Sequence, residues 1–145
     1  NVGLRVSDLV PLTVQDVRGK THLVMTEQKT KKMKRFLIPR ATREMIEDYT
    51  RDMSPSAWLF PSQKGNNHIS TTQAYRVLQK AAEALGRDDI GTHTMRKTFG
   101  YHHYKRNKDV AVLQQLFNHS APSITMKYIG VTEDEVDATM EDFSL

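Results

Sequence analysis

Between Thr92 and Tyr128 the chain reads T-H-T-M-R-K-T-F-G-Y-H-H-Y-K-R, breaks, and resumes as L-Q-Q-L-F-N-H-S-A-P-S-I-T-M-K-Y. A cap signal at Thr92, a stop near His119 and a proline at 122, in the first turn of a segment opening at Ser120, cut this stretch into three helices. With Thr92 as cap, His93 and Arg96 lie three apart on one helical face, so an imidazole and a guanidinium project side by side as an anion site. The second helix ends near His119, and the third is short and delivers Tyr128. Two cationic groups, a further histidine and a phenol then converge. A phenol among positive charges suits attack on phosphate, because the charges stabilise both the phenolate and the crowded phosphorus centre.

The amino-terminal part has a different character. Val2, Leu4, Val6, Leu9 and Val10 read as a short amphipathic helix ended by Pro11, with Arg5 and Asp8 together on its polar side. An arginine this close to a helix start suggests that residues precede it in a longer protein. Runs rich in Val, Leu, Thr and Phe follow at Thr13 to Val17, His22 to Glu27 and Arg35 to Ile38, separated by Arg18-Gly19-Lys20 and by Lys29 to Lys34. They predict three antiparallel strands joined by two turns. Lys29, Lys31, Lys32, Lys34 and Arg35 crowd the second turn, where repulsion is costly unless a phosphate backbone lies opposite. The competing reading is an edge protected by lysines against aggregation.

Met45, Ile46, Tyr49 and Met53 keep helical spacing from Thr42 onward and predict a helix packed on the sheet or its neighbours. Ser70-Thr71-Thr72-Gln73 resembles a capping box that opens a helix running to Leu85, with Gly86 beyond its end. Val136, Met140 and Phe143 form one apolar stripe of a final helix starting near Thr132. The order predicts an α+β fold, mostly helical, with a small three-stranded antiparallel sheet near the amino terminus.

Charge narrows the partner. The chain of 145 residues has a net charge of +4. Every acid after Tyr128 lies in a segment without Lys or Arg, so residues 1–128 hold 21 bases against 11 acids, a net +10. A polyanion partner fits this surplus, and a solvated surface is the alternative. Cysteine is absent, which removes disulfides, thiolate zinc sites and thiol nucleophiles. No apolar run approaches membrane-spanning length and no signal-peptide pattern opens the chain, so a cytoplasmic domain is expected. His93, His102, His103 and His119 match no H-E-x-x-H spacing, a Gly-rich phosphate loop is missing, and no strained serine turn is visible. Phosphoryl transfer by a tyrosine without metal is the chemistry that remains.

Taken together, Gly3-Leu4-Arg5-Val6-Ser7-Asp8-Leu9, Gln28-Lys29-Thr30 ahead of Ile38-Pro39, His93-Thr94-Met95-Arg96, Asn118-His119-Ser120 and Tyr128 resemble the catalytic domain of the tyrosine recombinases, the phage-integrase family. Each motif alone is weak, and five in the family's order with the family's interval from His119 to Tyr128 are strong. The resemblance covers nearly all of residues 1–145. It implies site-specific strand exchange through a covalent 3′-phosphotyrosyl DNA intermediate, with no cofactor and no metal. Arg5 and Arg96 match the two arginines that grip the scissile phosphate, and His93 matches the H of H-x-x-R. His119 matches the histidine ending the next helix, and Tyr128 the nucleophile. Lys29 matches the hairpin lysine that protonates the leaving oxygen, with Lys31, Lys32 and Lys34 as alternatives if the register differs. Two departures stand out: Phe117-Asn118-His119 replaces Leu-Gly-His, and Asp8 stands where Glu is commoner. Tyr101 and Tyr104 are expected to pack or hydrogen-bond rather than attack.

The implied partners are double-stranded DNA and further protomers, a tetramer in the synaptic complex, with the carboxy-terminal helix docking on a neighbour. The core-binding domain and the first helices of the catalytic domain are expected to lie outside this chain. Two other functions share the same residues: a DNA-binding regulatory module without catalysis, and relaxation of DNA in the manner of a type IB topoisomerase.

Overall fold

The computed structural model describes residues 2–91 and 93–141. It divides into two compact units, one up to His93 and one from Thr94 onward.

The first unit begins with a single turn, α1 (Val6–Leu9), shorter than the apolar spacing predicts because Gly3 carries a positive φ of 68° just before it. The next segment corrects the predicted first strand. Val14–Val17 is a helical turn, α2, and the sheet has two strands instead of three. The reason is local: the Thr13 backbone N–H and hydroxyl both donate to Asp16 Oδ2, at 2.8 and 2.7 Å, so a capping motif outcompetes the β-type composition. Val14 and Val17, three apart, then fall on one face and are buried. The amides of Val14 and Gln15 that the turn leaves open donate to the carbonyls of Ala57 and Pro55.

Strands β1 (His22–Thr26) and β2 (Met33–Leu37) pair antiparallel, with His22 opposite Leu37 and Thr26 opposite Met33. Period-two alternation buries Leu23 and Phe36 on one face and leaves Val24, Met33 and Leu37 exposed on the other. Helix α3 (Arg40–Thr50) follows. Its buried position is Thr50; Met45 and Tyr49, predicted to pack, are exposed. Arg18 explains this by closing the helix end: it donates to Thr50 Oγ1 at 3.0 Å, to the Met53 carbonyl at 2.8 Å and to the Thr50 carbonyl. Helix α4 (Thr71–Ala84) opens on the predicted box, Ser70 and Gln73 exchanging bonds of 2.8 and 3.1 Å. It closes on Gly86 at a φ of 65°.

Among the described residues the second unit holds four helices: α5 (Thr94–Asn107), α6 (Val110–Phe117), α7 (Pro122–Ile129) and α8 (Glu133–Glu141). Thr92, the predicted cap of α5, and Phe143, predicted to extend the α8 stripe, lie outside the described residues. Tyr104, Leu113, Phe117 and Ile129 form the core where α5, α6 and α7 meet. A Cβ on Gly100 would come within 2.6 Å of Ile129 Cγ2 and 2.8 Å of the Phe117 ring, so α5 needs a glycine there to let its neighbours approach. No helix among the described residues is long and apolar enough to cross a membrane.

Candidate active site

In the second unit the connections aim the side chains. Asn118 adopts the left-handed conformation at a φ of 57°, as its place in Phe117-Asn118-His119 predicts. The His119 N–H then turns back to the Gln114 carbonyl at 3.0 Å and the Asn118 N–H to Gln115, a Schellman closure that fixes where the imidazole leaves the helix. Pro122 opens α7 without losing a needed donor. Tyr128 sits in the last turn of that helix, before Gly130 closes it at a φ of 79°.

Phe117 is the hub. Its ring lies 5.5 Å from that of His119 and 5.5 Å from that of Tyr128, and the last two are 5.0 Å apart, edge to face. Arg96, only 4% exposed, stacks its guanidinium 4.4 Å from the Phe117 ring centroid and donates to the Phe117 carbonyl at 3.4 Å. His119 Nδ1 shares a 3.0 Å hydrogen bond with the buried Thr125 hydroxyl, which orients the ring. The Lys97 ammonium stands 5.5 Å from the Tyr128 ring centroid. Arg96, His119 and Tyr128 are thus gathered on one hydrophobic ring. Lys97 and Thr125 join them, and neither carries a sequence signal beyond adjacency to Arg96 or a place on the Tyr128 helix. Tyr104 is core and Tyr101 donates to Glu135 Oε1 at 3.1 Å, so both are engaged elsewhere, as expected.

In the first unit Arg5 sits at the start of α1 and reaches the hairpin turn. Its Nη1 donates to Glu27 Oε1 at 2.9 Å and lies 3.9 Å from Asp8 Oδ2. Both carboxylates are fully buried. Asp8 Oδ1 also accepts from the Gln28 backbone N–H at 2.8 Å. Lys29 is exposed within the turn that Gln28 begins. Lys31 follows at a positive φ of 56°, Lys32 closes the turn, and Lys34 lies on β2 opposite Met25. His93 is exposed in the turn that leads into α5. Sequence reasoning missed Glu27; its signal, an acid ending a strand beside a lysine-rich turn, is visible only once the pairing is known.

Comparison with known proteins agrees with the motifs. Residues 1–135 match the family model described as "Phage integrase family". The chain is 52% identical over 143 residues to the probable integrase/recombinase YoeC of Bacillus subtilis, covering 99% of this chain and 79% of that protein. It is 30% identical to tyrosine recombinase XerD of Corynebacterium glutamicum, covering 92% of this chain and 46% of that one. The chain spans about half the length of several other curated relatives it matches. Among solved structures, XerA recombinase aligns with a TM-score of 0.76 at 18% identity over 96% of this chain and 51% of that one. XerH site-specific recombinase, in a post-cleavage complex with its palindromic difH substrate, aligns at 0.77 and 14% identity over 97% and 42%. By its motifs, its family match and its mostly helical fold with one small antiparallel hairpin, the chain belongs to the phage integrase family of tyrosine recombinases.

Proposed function

We propose that this chain cuts and rejoins DNA as the catalytic part of a site-specific recombinase, with Tyr128 as nucleophile. The observation that carries the reading is the packing of Arg96, His119 and Tyr128 around one phenylalanine, which holds a phosphate-gripping fork beside a phenol. A free tyrosine has a pKa of about 10, so only about one in a thousand is phenolate at neutral pH, and neighbouring cations must favour that form. The Tyr128 oxygen attacks phosphorus, the bond from phosphorus to the 5′ oxygen breaks, and the phenolic proton passes to a base for which His119 is the neighbour. Lys29 donates a proton to the departing 5′ oxygen, which would otherwise leave as a strongly basic alkoxide. Arg5 and Arg96 hold the non-bridging oxygens with planar forks suited to two oxygens at once, and His93 adds a further donor. The 3′-phosphotyrosyl bond conserves the energy of the diester, so a second 5′ hydroxyl reverses the step without cofactor or metal.

Double-stranded DNA is the partner in this reading, gripped mainly through phosphate by the basic residues 1–128, and a core-binding domain outside this chain supplies the other half of the clamp. Affinity therefore falls steeply with salt. Further protomers assemble on the DNA as a tetramer, and the exposed Val136 and Met140 of α8 offer a neighbour an apolar surface.

The test is a pool of nicked duplexes with randomised sequence around the nick, in which cleavage releases a fragment too short to rejoin. The full-length protein should yield a covalent adduct on a denaturing gel, absent in Tyr128→Phe. Binding without any adduct would favour a regulatory module, and relaxation of supercoils without a defined site would favour topoisomerase-like activity.

A further inference from the structure

We propose that Glu27 is a positioning residue that locks the Lys29 turn to Arg5, so that the leaving-group acid and one arm of the phosphate clamp are held as a single piece. The inference rests on the recombinase reading above. Glu27 is the first residue past β1 and its carboxylate is fully buried. The two oxygens are shared between two elements: Oε1 accepts from Arg5 Nη1 at 2.9 Å, and Oε2 accepts from Thr30 Oγ1 at 2.7 Å. The Glu27 backbone closes the same turn, donating to the Lys32 carbonyl at 3.0 Å and accepting from the Lys31 N–H at 2.9 Å. Asp8 works in parallel, with Oδ1 on the Gln28 N–H at 2.8 Å and Oδ2 3.9 Å from Arg5. Lys29 is bracketed: the residue before it is tied to Asp8, the residue after it to Glu27, and both carboxylates face one guanidinium.

Fold stability alone gives a weak account of this arrangement. Burying carboxylates is costly even when they are paired, and an apolar cluster of the same volume would commonly be as stable. Two carboxylates beside Arg5 also weaken its attraction for a phosphate, so what they contribute to a phosphate site is orientation. Orientation is what the turn needs. Lys29, Lys31 and Lys32 are exposed and repel one another, and a general acid must come within about 3 Å of the oxygen it protonates. A misplacement of about 1 Å can cost on the order of a hundredfold in rate. The Thr30 hydroxyl, held by a buried carboxylate already fixed on Arg5, removes that freedom.

The test uses sequences captured by the full-length protein from the randomised nicked duplexes, prepared with either oxygen or sulfur at the bridging 5′ position. Sulfur leaves as a thiolate and needs no proton, so a defect in the acid disappears on the sulfur substrate, and Lys29→Ala serves as the reference. Thr30→Val breaks the turn side of the link and leaves the Arg5–Glu27 pair in place. It should slow adduct formation by about tenfold or more on oxygen and by less than about twofold on sulfur. Thr30→Ser, which keeps the hydroxyl, restores the rate. Glu27→Gln should slow both substrates, oxygen more, and raise amide exchange at residues 28–32 without global unfolding. Should Glu27→Gln fail to fold, Thr30→Val carries the test unaided, since its site is a surface turn. Wild-type rates in Thr30→Val on the oxygen substrate, or a defect equal on oxygen and sulfur, would overturn the inference and leave the recombinase reading standing. A Lys29→Ala defect that sulfur does not relieve would refute Lys29 as the acid and this inference with it. Failure of the wild-type protein to form any adduct would defeat the recombinase reading itself.

Discussion

The guanidinium carbon of Arg96 stands 4.4 Å from the centroid of the Phe117 ring, and the same guanidinium donates to the Phe117 carbonyl. One residue therefore fixes both the plane and the depth of the arginine fork, and its ring also touches those of His119 and Tyr128.

Phe117→Leu keeps an apolar side chain in the core but removes the face on which Arg96 lies. The volume loss should cost about 1 to 2 kcal/mol, read as a lower urea midpoint at unchanged slope. The rate of adduct formation should fall by about tenfold or more, in line with the roughly 2 kcal/mol of a desolvated cation–π contact and the added disorder of Tyr128. A drop in stability with an unchanged rate would show that Phe117 only fills space.

Gly100→Ala tests the close approach from the other side. The added methyl would meet Ile129 at 2.6 Å and the Phe117 ring at 2.8 Å. Alanine favours a helix over glycine by about 1 kcal/mol, so an exposed site would gain from the change. Here overpacking should win, and a net loss of about 1 to 3 kcal/mol is expected in chemical denaturation. Because Phe117 must shift, adduct formation should suffer as well.

Much of the second unit was legible because its signals are local. The stop near His119, the proline at 122 and the apolar stripe that starts near Thr132 fix helix ends within a few residues, whatever surrounds them. Where composition and local bonding disagreed, composition misled: Thr13 to Val17 has the residues of a strand, yet a single carboxylate three positions on turns it into α2. Met45 and Tyr49 keep helical spacing and still face outward, since Arg18, thirty-two residues from Thr50, decides which side of α3 is covered. Glu27 was silent for the same reason: its importance lies in reaching Arg5, twenty-two residues away.

Asn118 is the departure from Leu-Gly-His that the backbone explains. Its φ of 57° is where glycine is unstrained and asparagine is tolerated. Asn118→Gly should leave stability within about 1 kcal/mol of wild type and preserve adduct formation, whereas Asn118→Val should lose about 1 to 2 kcal/mol by strain in the left-handed region. Thermal unfolding of the two variants separates the cases, and equal melting temperatures would show that the closure does not depend on this residue.

The attachment of α8 should depend on pH in a defined direction. Glu135 Oε1 accepts from the Lys105 ammonium at 2.8 Å and from the Tyr101 hydroxyl at 3.1 Å, while Oε2 accepts from the Thr132 N–H at 3.3 Å. The Lys105 hydrogen bond, followed by that from Thr132, holds the Glu135 carboxyl below the ordinary carboxylate range. The same bond holds Lys105 above the ordinary lysine range. A carboxylate with a lowered folded pKa contributes fully above its unfolded pKa of about 4.3, and the contribution fades as pH falls through the folded value. A lysine with a raised pKa contributes fully below about 10.4 and loses its part as pH rises through the folded value. Between those limits α8 should stay joined to α5, and it should loosen in acid before the core of Leu113 and Phe117 unfolds. Carbon-13 titration of the Glu135 carboxyl, read beside amide exchange along residues 133–138, checks both steps. A midpoint at the ordinary carboxylate value, or exchange in α8 that Glu135→Gln leaves unaltered, would show that this carboxylate does not hold the helix in place.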